Sequence, residues 1–74
     1  MEHAPKTVTF SGRKPSRVQI VAKVKPLAQS GYTFIEVHWG ENWLQLDRQG
    51  STGPWYGHGW IKDISADTVA KELN

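Results

Sequence analysis

The 74-residue sequence contains no cysteine, which excludes disulfide bonds and thiolate metal sites. It has no apolar run long enough to cross a bilayer as a helix. The N-terminus lacks the apolar segment that a secretory signal needs after its first charges. These absences predict a protein without a membrane partner that is located in the cytoplasm, where disulfides are rare.

Tryptophan is abundant for so short a chain, with four residues among 74. A chain of this size fits one domain and buries only roughly 60% of its unfolded surface. Some of the rings are therefore needed in the core, because few other side chains are as large. We predict a disordered tail over residues 1–6 and a single small β-rich domain over residues 7–74.

The pattern of apolar residues predicts five strands and one helix. Alternation of polar and apolar residues, typical of half-buried strands, covers residues 7–11, 17–25, 32–39, 43–47 and 55–61. In the second of these segments, the face assigned to the core carries Val18, Ile20, Ala22 and Val24. Residues 66–73 instead have apolar side chains at helical spacing, after an N-cap at Ser65.

Short connections between these strands favour an antiparallel meander. We predict a mainly β fold with one short C-terminal helix. The strands either close into a small SH3-like or OB-like barrel or form an open sheet with the helix packed on one face. Residues 59–63 resemble the last strand of SH3-like barrels, but the acidic and aromatic motifs of peptide-binding SH3 domains are not present. The resemblance therefore implies nothing about function.

Positive charge is concentrated in the first third of the chain. Residues 1–25 contain six Lys or Arg and one Glu, whereas residues 26–74 contain three Lys or Arg and six Asp or Glu. Such an asymmetry favours an anionic partner for the first third. Alternatively, the two parts neutralise each other across the sheet.

Cations and aromatic rings share the strand positions that alternate with the predicted core. Lys and Arg bind phosphates, and flat rings stack on bases, so we predict nucleic-acid binding as the first function. The candidate residues are Arg13, Lys14, Arg17, Lys23, Lys25, Phe34, His38 and Trp43. Two alternatives stay open. Glu36 and Asp47 would pair with these cations across strands and leave an ordinary solvated face, or the C-terminal helix would cover the rings.

Three large rings and two glycines fall within residues 55–60. Because glycine in a strand often marks a close approach by a ring or a ligand, this segment predicts an aromatic slot for a peptide. Its candidate contacts are Trp55, Tyr56, His58 and Trp60; a packed core cluster is the competing interpretation. On this second hypothesis the chain is a protein-interaction module, such as a phage or mobile-element accessory protein that binds a host protein. A homo-oligomer that buries its rings against each other is the third hypothesis.

The sequence carries no catalytic or metal-binding motif. His3, His38 and His58 show no metal-ligand spacing, and no nucleophile elbow surrounds any serine. Glu36 and Asp47 face each other across the predicted hairpin, but two carboxylates without a deep pocket are weak evidence for acid–base chemistry. We therefore expect a binding protein that is not an enzyme and needs no cofactor or metal.

Overall fold

The computed structural model describes residues 5–74, so most of the predicted tail, residues 1–4, lies outside the described residues. The elements are β1 (Lys6–Phe10), α1 (Arg17–Gln29), β2 (Phe34–Trp39), β3 (Asn42–Asp47), β4 (Tyr56–Ile61), β5 (Ile64–Ser65) and α2 (Ala66–Leu73). Strand β1 already begins at Lys6, within the segment predicted as tail.

The strands form one mixed, open sheet in the order β1-β2-β3-β4-β5. β1 is parallel to β2, and the pairs from β2 to β5 are antiparallel. The predicted meander is confirmed for β2, β3 and β4 and wrong for β1, because a parallel neighbour needs a crossover, which α1 supplies. The two-residue strand β5 was not predicted from the sequence. The pairing of the described strands closes no barrel. The arrangement is therefore an open sheet with helices on one face.

Residues 17–25 are not a strand, as the alternation predicts, but form most of helix α1. The helix begins with a capping box: the Ser16 hydroxyl accepts from the Gln19 N–H at 3.1 Å, and the Gln19 side chain accepts from the Ser16 N–H at 2.8 Å. Ile20 and Val24 are fully buried, whereas Val18, which the strand prediction placed beside them, is 70% exposed. The buried residues therefore follow the spacing of a helix.

One hydrophobic core lies between the sheet and the two helices. Its fully buried large side chains are Ile20 and Val24 of α1, Ile35 and Val37 of β2, Leu44 and Leu46 of β3, Ile61 of β4 and Val69 of α2. The predicted core positions of β2 and β3 are thus confirmed, apart from Trp39, which is half-buried and donates its indole N–H to the Gly12 carbonyl at 2.9 Å. Both helices cover the same side of the sheet, because both contribute to this core.

The C-terminal helix is confirmed, with Ser65 as its N-cap and Asp67 in its first turn. Its first residue packs directly on strand β4 at Gly57. A Cβ at position 57 would overlap the backbone carbonyl of Ala66 and lie 2.7 Å from the Ala66 Cβ. Only glycine therefore allows α2 to lie this close to the sheet.

Candidate interaction surface

The side of the sheet away from the helices is left uncovered, and we call it the open face. Strand register places its side chains in rows that cross β1, β2, β3 and β4. The open face consists of Thr7, Thr9, Phe34, Glu36, His38, Trp43, Gln45, Asp47, Tyr56, His58 and Trp60.

Three large aromatic side chains are exposed on the open face. Trp43 is 45% exposed, Tyr56 is 54% exposed and Trp60 is 63% exposed. Trp43 and Trp60 are partners in the β3–β4 register, and Tyr56 lies four residues before Trp60 on the same strand. Large exposed apolar patches on soluble proteins mark binding surfaces more often than single exposed residues do.

Gly59 explains how the Trp43 ring lies so close to strand β4. Its φ is +91°, and a Cβ at this position would lie 2.8 Å from the Trp43 carbonyl oxygen and 3.3 Å from ring atom Cζ3. A side chain at position 59 would therefore be strained and would press on Trp43. The expected close approach of a ring to a strand glycine is confirmed here.

The open face carries carboxylates and imidazoles but no Lys or Arg side chain in its described strands. His38 Nε2 lies 2.8 Å from Glu36 Oε1, and each side chain is about one-third exposed. Asp47 is half-buried and lies opposite both Phe34 and Tyr56. In the strands that the structure describes, this face carries two carboxylates and no Lys or Arg.

A cavity of about 410 Å³ opens at the margin of the open face, where β3 ends and α2 begins; it is lined by Asp47, Arg48, Gln49, Tyr56, Gly57, His58 and Asp67. The Arg48 guanidinium lies over the Trp55 ring, 5.2 Å from its centroid, and its Nε donates to the Gly53 carbonyl at 2.9 Å. Within residues 5–74, neither cavity carboxylate has a hydrogen-bond or ion-pair partner.

The cations predicted to share a face with the rings lie elsewhere. Arg17, Lys23 and Lys25 belong to α1, on the other side of the sheet. Arg13 and Lys14 lie in the connection before it. Because α1 is a helix with 3.6 residues per turn, Lys23 and Lys25 point about 160° apart around its axis. The predicted basic and aromatic sheet face is therefore not formed, although Phe34, His38 and Trp43 do share one face.

Two of these cations are held in ion pairs with the acidic part of the chain. Lys14 Nζ lies 2.9 Å from Asp63 Oδ1, and Arg17 Nη1 lies 2.9 Å from Glu72 Oε2. The two parts of the chain therefore neutralise each other at these two pairs, but the pairs do not cross the sheet as the alternative expected: one joins α1 to α2 and the other joins two connections. The prediction that Glu36 and Asp47 pair with these cations across strands is wrong.

Three of the four residues predicted as a peptide slot lie on the same face as Phe34, His38 and Trp43 of the predicted nucleic-acid site. Tyr56, His58 and Trp60 lie on the open face beside the rings of β2 and β3. Trp55 instead is 4% exposed in the core, and its backbone N–H donates to Asn74 Oδ1 at 2.6 Å. The core interpretation is therefore confirmed for Trp55, whereas the other three residues extend the exposed surface. Sequence reasoning missed the cavity, because Asp47 and Asp67 come to line it together only through folding.

Comparison with known protein families, curated proteins and solved structures gives no match. Among residues 5–74, no helix is both long and apolar enough to cross a membrane. The same residues contain no group of three or more His, Asp or Glu arranged to hold a metal ion.

Proposed function

We propose that the chain is a non-catalytic protein-interaction module that binds a protein partner through its open face. The observation that carries this proposal is the exposure of Trp43, Tyr56 and Trp60 on one uncovered side of the sheet. Trp and Tyr are enriched among the residues that dominate binding energy in protein interfaces. Their rigid rings bury a large area at a small cost in side-chain entropy.

The charge of the open face favours a protein over a nucleic acid as the partner. Most nucleic-acid affinity comes from Lys and Arg contacts to phosphates. The described strand residues of this face include Glu36 and Asp47 but no such cation. A phosphate backbone placed along the rings would therefore meet carboxylates. The cations of α1 face away from the rings, on the other side of the sheet.

A polar surround to the aromatic centre is also typical of a protein interface. Interfaces combine an apolar centre, which excludes water, with a polar rim that forms hydrogen bonds. On the open face, the Trp43–Trp60 row is bordered by His38, Gln45 and His58. These side chains offer both donors and acceptors to a partner backbone.

Selection from two random libraries tests the proposal. The immobilised protein is offered a displayed library of random peptides and, separately, a library of random single-stranded oligonucleotides. Enriched ligands are then measured by titration against wild type, Trp60→Ser and Val18→Ser. Val18 is the matched control, because it is 70% exposed on α1, away from the open face.

We expect peptides to be enriched and Trp60→Ser to weaken their binding by about tenfold or more, as for a hot-spot ring. Val18→Ser should change binding by less than about twofold, since it lies outside the interface. Amide NMR spectra verify that both variants are folded. Enrichment of oligonucleotides alone, or equal losses in the two variants, would contradict the proposal.

A further inference from the structure

The cavity beside the open face places two unpartnered carboxylates next to an aromatic ring. Asp47 ends strand β3, Tyr56 lies opposite it on β4, and Asp67 lies in the first turn of α2. The cavity volume of about 410 Å³ is within the range of ligand-binding clefts. A side chain of a bound partner therefore has room to enter a cavity that both carboxylates line.

The cation nearest this cavity does not neutralise these carboxylates by direct contact. Arg48 lines the cavity, but its guanidinium lies over the buried Trp55 ring and its Nε donates to the Gly53 carbonyl. The acidic residues in the ion pairs of the helix side, Asp63 and Glu72, already have cationic partners. The cavity carboxylates therefore differ from these two in having no partner among the described residues.

Aromatic rings extend from the cavity along strand β4. Tyr56, which lines the cavity, and Trp60 lie on the same face four residues apart, a distance of about 13 Å along a strand. A partner segment of about five extended residues spans that distance. One extended segment can therefore contact the cavity, with its Tyr56 ring and its carboxylates, at one end and the Trp43–Trp60 pair at the other.

We propose that the open face binds an extended, arginine-containing protein segment, with one guanidinium in the cavity that Asp47 and Asp67 line and flanking residues across Trp43 and Trp60. This inference rests on the proposed protein-binding function and specifies the partner. Arginine fits better than lysine, because its planar guanidinium stacks on rings and donates to two carboxylates at once. Such charge-assisted bonds are about twice as strong as neutral ones.

Three synthetic peptides provide the probe. The first is a fluorescein-labelled, amidated Ala-Arg-Ala-Arg-Ala-Arg-Ala peptide, and the second replaces every Arg with citrulline, which has nearly the same shape and no charge. A third peptide carries Lys in place of Arg. Dissociation constants are measured by fluorescence anisotropy at physiological salt, where long-range attraction is screened.

For wild type we expect the Arg peptide to bind about tenfold more tightly than the citrulline peptide, with the Lys peptide in between. Asp47→Asn and Asp67→Asn should each weaken Arg-peptide binding by about threefold or more and leave citrulline-peptide binding unchanged. Asp63→Asn removes the same charge at a site paired with Lys14, and it should change binding by less than about twofold.

Equal binding of the Arg and citrulline peptides would overturn the inference without any variant. A loss of binding affinity in Asp63→Asn as large as that in Asp47→Asn would also overturn it, because the electrostatic attraction would then be general.

If library peptides bind through Trp60 but show no dependence on arginine, this inference fails and the proposed function stands. If Trp60→Ser affects no ligand, both fail. A dimer in sedimentation equilibrium that Trp60→Ser dissociates would show a second copy as the occupant and overturn the inference.

Discussion

Trp43 and Trp60 lie directly opposite each other on strands β3 and β4, and both rings project from the open face. Gly59, which precedes Trp60, has no side chain and allows the Trp43 ring to approach the backbone of β4. Cross-strand aromatic pairs of this kind contribute to sheet stability as well as to binding. The two residues therefore connect the stability of the fold with the shape of the candidate interface.

A double-mutant cycle measures this connection. We expect Trp43→Ser and Trp60→Ser each to lower the free energy of unfolding, with a coupling energy of about 0.5–1 kcal/mol between them. Urea denaturation of wild type, both single variants and the double variant gives the value. Strictly additive effects would show that the two rings do not stabilise each other.

Gly57 should be far less tolerant of alanine than an exposed turn glycine. Gly57→Ala places a Cβ against the backbone of Ala66, which forces α2 away from the sheet. We expect a loss of about 2 kcal/mol or more in the free energy of unfolding, as for overpacked cores. The control is Gly40→Ala: Gly40 has φ of +59°, and a Cβ there would meet no atom within 4 Å, so we expect about 1 kcal/mol from backbone strain alone. Equal losses in urea denaturation would contradict the close packing.

A helix and a strand over residues 17–25 predict different burial of Val18 and Ile20. In a strand both residues face the core, whereas in α1 Val18 is 70% exposed and Ile20 is fully buried. We expect Ile20→Ala to lower the free energy of unfolding by about 2–5 kcal/mol and Val18→Ala to change it by less than about 0.5 kcal/mol. Comparable losses from the two substitutions in chemical denaturation would favour the strand.

The helical and strand periodicities overlap in this segment, which explains why helix α1 was not predictable from its apolar residues. Ile20 and Val24 are four residues apart, a spacing that fits one face of a strand as well as one face of a helix. Two features distinguish a helix from a strand here: the capping box of Ser16 and Gln19, and the half-buried Leu27 and Ala28. They become visible only when the pattern is extended beyond the predicted strand, residues 17–25. By contrast, β2 and β3 were predictable because a short turn fixes their register.

The composition of the candidate surface was predictable only in parts. The alternation of polar and apolar residues correctly predicted that Trp43 and Leu44 lie on opposite faces of the sheet. The sequence also identified Tyr56 and Trp60 as aromatic candidates for binding. The β3–β4 register, which unites the two aromatic sets, is set across the connection of residues 48–55, which is longer than the tight turns whose type fixes register. The misplaced cations follow from the error in α1, since a strand would have carried Arg17 and Lys23 on the sheet.

The ion pair between Lys14 and Asp63 makes a testable difference to acid titration. The side-chain hydrogen bond from Lys14, followed by the backbone N–H of Asp63 and the Lys14 charge, holds the pKa of the Asp63 carboxyl below its ordinary value. A carboxyl whose pKa is lowered by folding contributes stability above its unfolded pKa, and this contribution is lost as the pH falls through the folded pKa. Because the Asp63 side chain is 83% exposed, solvent screens the pair and the contribution is small.

We therefore expect Lys14→Gln to raise the pKa of Asp63 toward its ordinary value, without reaching it, because the backbone N–H still donates. An NMR titration of the Asp63 side-chain carboxyl carbon between pH values of about 2 and 6 measures this change. Lys23→Gln removes a cation of α1 that makes no ion pair with Asp63, so it should leave the pKa nearly unchanged. If Lys14→Gln left the pKa in place, the lowering would come from the backbone, and the ion pair would not link the connection before α1 to the turn between β4 and β5.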